Sequence, residues 1–224
     1  MENLDLRRRW RHLYSPSAQA PELVEVPDLA FLMVEGDSTP GAEEFQQAIG
    51  ALYSVAYDLR FWLKRERAIS SAVMPLEGLW WTDGPPRSPA EILGDKTGWH
   101  WTLMIAVPDI VNADDVAASR DRAARKRAIP ALGRLRLERF AEGLAVQIMH
   151  IGPYAAELPT IERLHAFARE SGLALRGKHH EIYIGDPNRS KPDNLKTIIR
   201  MPVERVPASI DNTGGKLGRP NRPC

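Results

Sequence analysis

The 224-residue chain carries 30 Lys and Arg against 29 Asp and Glu, a net charge of +1. So balanced a charge argues against a dedicated nucleic-acid-binding protein, which usually presents a net basic face. The one cysteine, Cys224, is the last residue and has no partner for a disulfide or a zinc site, which favours a reducing, cytoplasmic compartment. The N-terminus is polar and Arg-rich, and no stretch approaches ~18 apolar residues, so we expect neither a signal peptide nor a membrane span.

The first half of the chain predicts a short amphipathic segment and then a mixed run of strands and helices. Residues 1–20 place Leu6, Trp10 and Leu13 at helical spacing, with the arginines around them on a solvated face. Pro27-Asp28 is expected to break an extended region into two strands. The predicted elements after residue 20 are strands 22–26 and 29–36, helix 42–64, strands 72–81 and 99–107, and helix 113–127.

The second half repeats this order. It predicts strands 135–140 and 144–152 joined by a turn at 141–143, helix 157–171, and strands 179–185 and 195–203. An internal repeat of this kind indicates an α+β fold of antiparallel strands with helices on one side. We therefore expect one domain over 21–205 made of two pseudo-repeats, 22–107 and 135–203, followed by a disordered tail over 206–224.

Several classes of site lack their sequence motifs. The chain has no GxxxxGK[ST], no GxGxxG after a strand, no GxSxG and no HExxH. His179-His180-Glu181 is contiguous rather than helically spaced, which makes it a poor metal cluster. We expect neither a metal nor a cofactor.

The feature that carries chemistry is a carboxylate in an otherwise apolar strand. Strand alternation puts Glu181 and Tyr183 on one face, with His180 and Ile182 on the other. Either that face is simply solvated, or Glu181 lines a cavity between the repeats, where desolvation would raise its pKa and suit it to act as a general base. Glu77 occupies the comparable strand of the first repeat.

Aromatic residues are the second feature. Any one of them could be ordinary core packing, but six tryptophans, four of them in two strands that we expect to be adjacent, exceed what packing needs. Flat apolar walls around one carboxylate suit a planar, weakly polar or cationic ligand. The candidate ligand-binding residues are Trp80, Trp81, Trp99, Trp101, Tyr53, Tyr57, Trp62, Tyr154, Met33 and Glu77.

The chain resembles the GyrI-like small-molecule-binding family. The resemblance covers about residues 5–205 and rests mainly on His150-Ile-Gly-Pro-Tyr154 and on His180-Glu-Ile-Tyr-Ile-Gly-Asp-Pro187. The first half resembles the longer standalone members in Phe31-Leu-Met-Val-Glu-Gly36, Ala51-Leu-Tyr-Ser-Val-Ala-Tyr57 and Met74-Pro-Leu-Glu-Gly-Leu-Trp-Trp81.

The resemblance implies duplicated strand–helix–strand–strand units of the SHS2 type, a ligand cleft between them, and a central glutamate that matches Glu181. Some standalone members hydrolyse, and so detoxify, cyclopropane-bearing alkylating compounds. In that reaction Glu181 would be the general base, with Tyr183 or Tyr53 orienting the attacking water. The alternatives are sequestration of planar or cationic drugs without turnover, and inhibition of DNA gyrase as a protein partner. Ahead of residue 22 no segment is long enough for a helix-turn-helix, so a transcriptional sensor is not expected.

Overall fold

A computed structural model describes residues 2–83, 98–185 and 190–206. Its centre is an antiparallel sheet in the order β6-β2-β5-β4-β8-β9, which a β6–β9 pairing closes into a barrel. The fold is therefore α+β, as the sequence predicts. The strands are β1 (Glu2–Asn3), β2 (Glu22–Gly36), β3 (Ile69–Ser70), β4 (Leu76–Thr82), β5 (Trp99–Val107), β6 (Arg136–Ile151), β7 (Leu173–Leu175), β8 (His179–Tyr183) and β9 (Lys196–Arg205).

The helices are α1 (Leu6–Arg9), α2 (Arg11–Tyr14), α3 (Glu43–Glu66), α4 (Ala113–Lys126) and α5 (Leu158–Glu170), with short 3-10 turns at Pro130–Arg134, Tyr154–Ala156 and Pro192–Asn194. None of the helices in the described residues is long and apolar enough to cross a membrane. The expected disordered tail lies outside the described residues, except for Val206.

Strand β2 is longer than the sequence predicts. Pro27-Asp28 does not break it, and β2 runs unbroken for 15 residues. The break was expected because proline cannot donate to a ladder. Here β2 pairs with β6 alone at that point, since its pairing with β5 begins at Ala30. Proline is tolerated where a strand has a free edge.

The turn predicted at 141–143 is also absent. β6 is a single strand of 16 residues that pairs with β2 along most of its length and with β9 from Ala145 onward. Gly143, at φ +73°, lies within the strand and supplies a backbone conformation that other residues rarely adopt. A glycine that reads as a turn in sequence thus marks a bend in a strand that changes partners.

The helices pack on the outside of the barrel. The apolar stripe of α3, including Ala48, Leu52 and Val55, is fully buried, and α3 lies mainly against β2 and β5. A fully buried side chain such as Leu52 stabilises the fold by roughly 1.5–3 kcal/mol relative to an exposed one. α5 packs on β6, β7 and β9 through residues that include Ile161 and Leu164. The outer face of β4 and β8 therefore lies between the two helices.

The second predicted helix is confirmed. Asn112 caps α4, accepting a hydrogen bond from the Asp115 N–H at 2.9 Å, while the Asp115 carboxylate accepts from the Asn112 N–H at 3.1 Å. The basic residues near the end of α4 have a structural role, because Arg122 donates to Asp58 of α3 at 2.8 Å and Lys126 lies 3.5 Å from the same carboxylate.

The N-terminal segment closes one end of the barrel. Arg200 Nη2 donates to the Leu13 carbonyl at 2.7 Å, and Gln147 Nε2 donates to the His12 carbonyl at 2.7 Å. The Tyr14 hydroxyl donates to Glu77 inside the barrel at 2.8 Å. Residues 12–14 thus supply further hydrogen-bond partners for buried polar side chains of the barrel.

Candidate functional site

Glu181 and Tyr183 share the outer face of β8, as the strand alternation predicts. Across the β4–β8 pair they lie opposite Gly78 and Leu76. Because α3 and α5 pack on the strands to either side, this part of the sheet lies between the two helices. We call it the outer cleft.

A line of hydrogen bonds crosses the floor of the outer cleft. Trp80 Nε1 donates to the Tyr183 hydroxyl at 3.2 Å, and that hydroxyl donates to Glu181 Oε2 at 2.8 Å. The second carboxylate oxygen of Glu181 lies 3.1 Å from His179 Nε2. One carboxylate is therefore held in place from both sides.

These contacts decide the charge of Glu181. Its side chain is only 13% exposed. Burial raises the pKa of the carboxyl, but the hydrogen bond and charge of His179, together with the Tyr183 hydroxyl, outweigh it and hold the pKa below its usual value. Glu181 is therefore ionised at neutral pH although it is nearly enclosed.

A second carboxyl group, Glu157, belongs to the same site and was not predicted from the sequence. It follows the 3-10 turn at Tyr154–Ala156, precedes α5, and is 2% exposed. Burial and the negative charge of Glu181 raise its pKa to about 9. In the sequence, a glutamate just before a helix is ordinarily explained as a charge that stabilises the helix dipole. Nothing in the sequence around Glu157 therefore marks it as a site residue.

The two carboxyl groups are therefore in opposite protonation states near neutral pH. Glu157 is protonated and can donate a proton, while Glu181 is ionised and can accept one. Neighbouring groups whose pKa values are driven apart in this way supply the acid and the base of many hydrolytic sites.

Three buried polar atoms around these residues form no hydrogen bond of good geometry within the described part of the chain, namely Glu157 Oε1, Thr197 Oγ1 and His165 Nε2. The Thr197 hydroxyl is nevertheless close enough to Glu157 to lower its pKa, although burial and the charge of Glu181 outweigh this effect. Burial and the charge of nearby His179 lower the pKa of His165 to about 4, so its ring is neutral. Buried polar atoms are nearly always paired, and such a group beside a carboxylate indicates a place for water or a polar ligand atom.

Aromatic rings form the walls of the outer cleft. Trp80 lies edge-on to Trp99, with ring centroids 5.4 Å apart, and stacks on Phe45 of α3 at 5.7 Å. Tyr154 meets Tyr183 edge-to-face at 5.7 Å. Trp80, Tyr154 and Tyr183 thus surround Glu181 with apolar surface.

Other predicted ligand residues lie away from Glu181 or within the core. Trp101 is fully buried beneath Phe45, and its indole N–H donates to the Ser38 carbonyl. Trp62 lies in the last third of α3, where the guanidinium carbon of Arg67 is 4.6 Å from the centre of the Trp62 ring. Tyr53 and Tyr57 lie side by side on α3, and Tyr57 is exposed.

Strand alternation separates Met33, Glu77 and Trp81 from Glu181. All three side chains belong to the inner face of the barrel, opposite the outer cleft. Met33 lines a cavity there, and Trp81 stacks on His100 with ring centroids 5.6 Å apart.

Glu77 belongs to a buried ionic network inside the barrel. His180 Nε2 lies 3.0 Å from Glu77, and its Nδ1 lies 3.0 Å from both oxygens of Glu142. Arg200 Nη1 donates to Glu142 at 3.2 Å. Burial alone would lower the pKa of His180, but the charge and hydrogen bonds of Glu142 and the bond to Glu77 raise it to about 9. His180 is thus an imidazolium between two carboxylates.

The described residues contain no group of three or more His, Cys, Asp or Glu side chains arranged to hold a metal ion. The outer cleft therefore offers acid–base groups, an aromatic surface and unpaired polar atoms, in an antiparallel α+β barrel. Such a set of groups on such a fold is typical of a small-molecule-binding domain.

The model of one family, the GyrI-like small molecule binding domain, matches residues 19–204. The chain belongs to the GyrI-like family, as the resemblance of its motifs implies. A search of curated protein sequences finds no match.

Solved structures agree with this assignment. A conserved protein from Listeria innocua is 35% identical, with a TM-score of 0.82 over 90% of this chain and 100% of that one. A hydrolase from the same organism is 34% identical, with a TM-score of 0.80 over 91% of this chain and 100% of its own. The C-terminal domain of EcmrR shares the fold alone, at 14% identity and a TM-score of 0.54, covering 83% of this chain and 98% of that one.

Proposed function

We propose that this protein hydrolyses planar aromatic electrophiles that carry a strained ring, such as a cyclopropane conjugated to a carbonyl, and thereby detoxifies them. The observation that carries the proposal is the carboxyl pair, in which Glu181 is ionised and Glu157 is protonated. Glu181 can then act as the general base and Glu157 as the general acid of the same enclosed site.

The reaction follows from these roles. A planar substrate stacks against Tyr154, whose side chain is exposed beside Tyr183. Glu181 accepts a proton from water as the water oxygen bonds to a ring carbon and the strained carbon–carbon bond breaks. The electron pair of that bond passes to the conjugated carbonyl oxygen, which takes a proton from Glu157. Water is thus added across the ring, and proton exchange with solvent returns both carboxyl groups to their starting states.

Tyr183 keeps Glu181 in place for this step. Its hydroxyl donates to one carboxylate oxygen, and the Trp80 N–H in turn fixes the hydroxyl. The other carboxylate oxygen faces His179. A base anchored in this way needs no rearrangement when the charge moves, which is the advantage of a preorganised site.

Two further observations support the proposal. Solved relatives more than 30% identical to this chain carry the name hydrolase. The strand order also fits a cleft between two equivalent SHS2-type units, because β2-β5-β4 with α3 and β6-β9-β8 with α5 have the same internal arrangement and meet at the β2–β6 and β4–β8 pairs.

A turnover experiment tests the proposal. The purified protein is incubated with a cyclopropanoid electrophile in ¹⁸O-labelled water, and mass spectrometry follows a ring-opened product that carries the label. We expect Glu181→Gln to lower the rate by at least about 100-fold, the usual range for a general base. Glu162→Gln, an exposed glutamate on α5, is the matched control. A Glu181→Gln variant as fast as the unaltered protein would remove Glu181 from the mechanism.

A second candidate function is sequestration of planar cations without turnover. The observation that favours it is an ionised carboxylate enclosed by aromatic rings, which attracts a cation through both its charge and the ring faces. Tryptophan fluorescence quenching by a planar cation that is recovered chemically intact, together with no labelled product from the electrophile, would decide for binding alone.

A further inference from the structure

The barrel contains a cavity on the side of the sheet opposite the outer cleft. Its volume is about 310 Å³, at the lower end of the range for small-molecule sites. Within the described residues, the N-terminal segment lies at one end of the barrel, where Tyr14 contacts Glu77, and the charged lining residues lie toward the other end. The lining residues on which the inference rests are Met33, Leu79, Phe140, Glu142, Arg176 and Lys178.

The walls of this inner cavity are mainly apolar. Met33 on β2 and Leu79 on β4 are almost fully buried, and Phe140 and Pro202 also line the cavity. The floor is Glu142, whose charge His180 and Arg200 already compensate. An occupant would therefore bury an apolar body without meeting an unpaired charge at depth.

The charges at the opening are unequal. Arg136 is paired with both Glu35 and Glu138, at 2.6 Å in each case, so these carboxylates already neutralise its charge. Arg176 donates to the backbone carbonyls of Val203 and Glu142, and no carboxylate pairs with it among the described residues.

Lys178 is the second cation without a carboxylate partner. Its Nζ lies 3.2 Å from the centre of the Trp81 ring, and no hydrogen bond or ion pair joins it to the described part of the chain. A partly desolvated ammonium held against an indole face retains a strong tendency to bind an anion.

We propose that the barrel interior is a second ligand site, which takes a small amphipathic carboxylate. Its apolar body lies between Met33, Leu79 and Phe140, and its carboxylate lies at the opening against Lys178 and Arg176. The site is separate from the outer cleft, because β4 and β8 present Leu79 and His180 inward but Trp80 and Glu181 outward.

Isothermal titration calorimetry with octanoate tests this site, with octanol as the uncharged ligand of the same length. We expect octanoate to bind one to one and octanol to bind at least about tenfold more weakly, the effect of losing one charge-assisted hydrogen bond. Lys178→Met should weaken octanoate binding by about the same factor, whereas Lys64→Met, an exposed lysine on α3 outside the barrel, should not change it.

Glu181→Gln separates the two sites, because it alters the outer cleft and should leave octanoate binding unchanged. Equal affinity for octanoate and octanol, no binding of octanoate, or loss of octanoate binding in Glu181→Gln would overturn the proposal. Should Lys178→Met fail to give a normal thermal transition, the comparison of octanoate with octanol on the unaltered protein still decides it.

Discussion

Gly78 and Glu181 lie directly opposite each other across the β4–β8 pair, and the absence of a side chain on Gly78 leaves room for the contacts that hold the carboxylate. A Cβ atom at position 78 would lie 2.8 Å from Trp80 Nε1 and 3.3 Å from the Tyr183 hydroxyl. These are the two atoms that link Trp80 to Tyr183, so the glycine is a steric requirement of the site.

Gly78→Ala should therefore disturb the outer cleft more than the fold. We expect the rate of ring hydrolysis to fall by about tenfold or more as Trp80 and Tyr183 move apart, with a loss of roughly 1–3 kcal/mol in unfolding free energy from overpacking. The control is Gly50→Ala on α3, where a Cβ meets nothing within 4 Å and should stabilise the helix by up to about 1 kcal/mol. Steady-state kinetics and urea unfolding measure both effects. Unchanged kinetics in Gly78→Ala would show that the Trp80–Tyr183 contact is not needed.

Tyr183→Phe removes the hydroxyl that donates to Glu181. Since that bond lowers the pKa of Glu181, its loss should raise this pKa and move the acidic limb of the pH–rate profile to higher pH. The maximal rate should fall by about tenfold, as expected for one lost hydrogen bond to a charged group. Tyr57→Phe, an exposed tyrosine on α3, is the matched control. An acidic limb at the same pH in Tyr183→Phe and the unaltered protein would contradict this role.

The raised pKa of Glu157 predicts an alkaline limb in the pH–rate profile. Burial and the charge of Glu181 raise the pKa of Glu157 to about 9, so it is protonated and able to act as an acid below that pH. Hydrolysis should decline as the pH rises through about 9. Glu157→Gln keeps the shape of the side chain but cannot give up a proton, so we expect a slow enzyme whose rate no longer shows this alkaline limb. A Glu157→Gln variant with the original rate would exclude Glu157 as the acid.

The buried network makes folding stability depend on pH. Folding raises the pKa of His180 from its ordinary value of 6.5 to about 9, so the folded state binds the proton more tightly. Its contribution, about 3 kcal/mol for a shift of this size, is complete below pH 6.5 and is lost as the pH rises through about 9.

Urea unfolding from pH 6 to 10 measures this effect in the unaltered protein and in His180→Gln. We expect His180→Gln to be less stable by roughly 3–5 kcal/mol at neutral pH, because it removes the buried cation from Glu77 and leaves Glu142 with Arg200 alone. The difference between the two proteins should narrow as the pH rises, and this comparison removes the contribution of Glu157, which both share. A difference that stays constant with pH would show that His180 is not charged in the folded protein.

Much of the secondary structure is readable from local pattern. The helices predicted over 42–64 and 113–127 and the strand predicted over 99–107 each depend on neighbours within one or two turns, and the structure has all three, as α3, α4 and β5. The predictions at Pro27 and Gly143 were wrong, because both residue types favour turns locally. In the structure β2 and β6 continue through these positions, since the two strands pair with each other on either side of them.

The sequence by itself determined which side chains share a face: Glu181 with Tyr183 on β8, apart from His180, since alternation along a strand is a local property. Only the tertiary structure decided what each face meets. It brought Glu157 from a distant turn to Glu181, and it enclosed Glu77 with His180 and Glu142 inside the barrel. The pKa of a carboxyl group depends on the charges and solvent within a few ångströms of it, and those neighbours are set by strand pairing and helix packing between residues far apart in the chain.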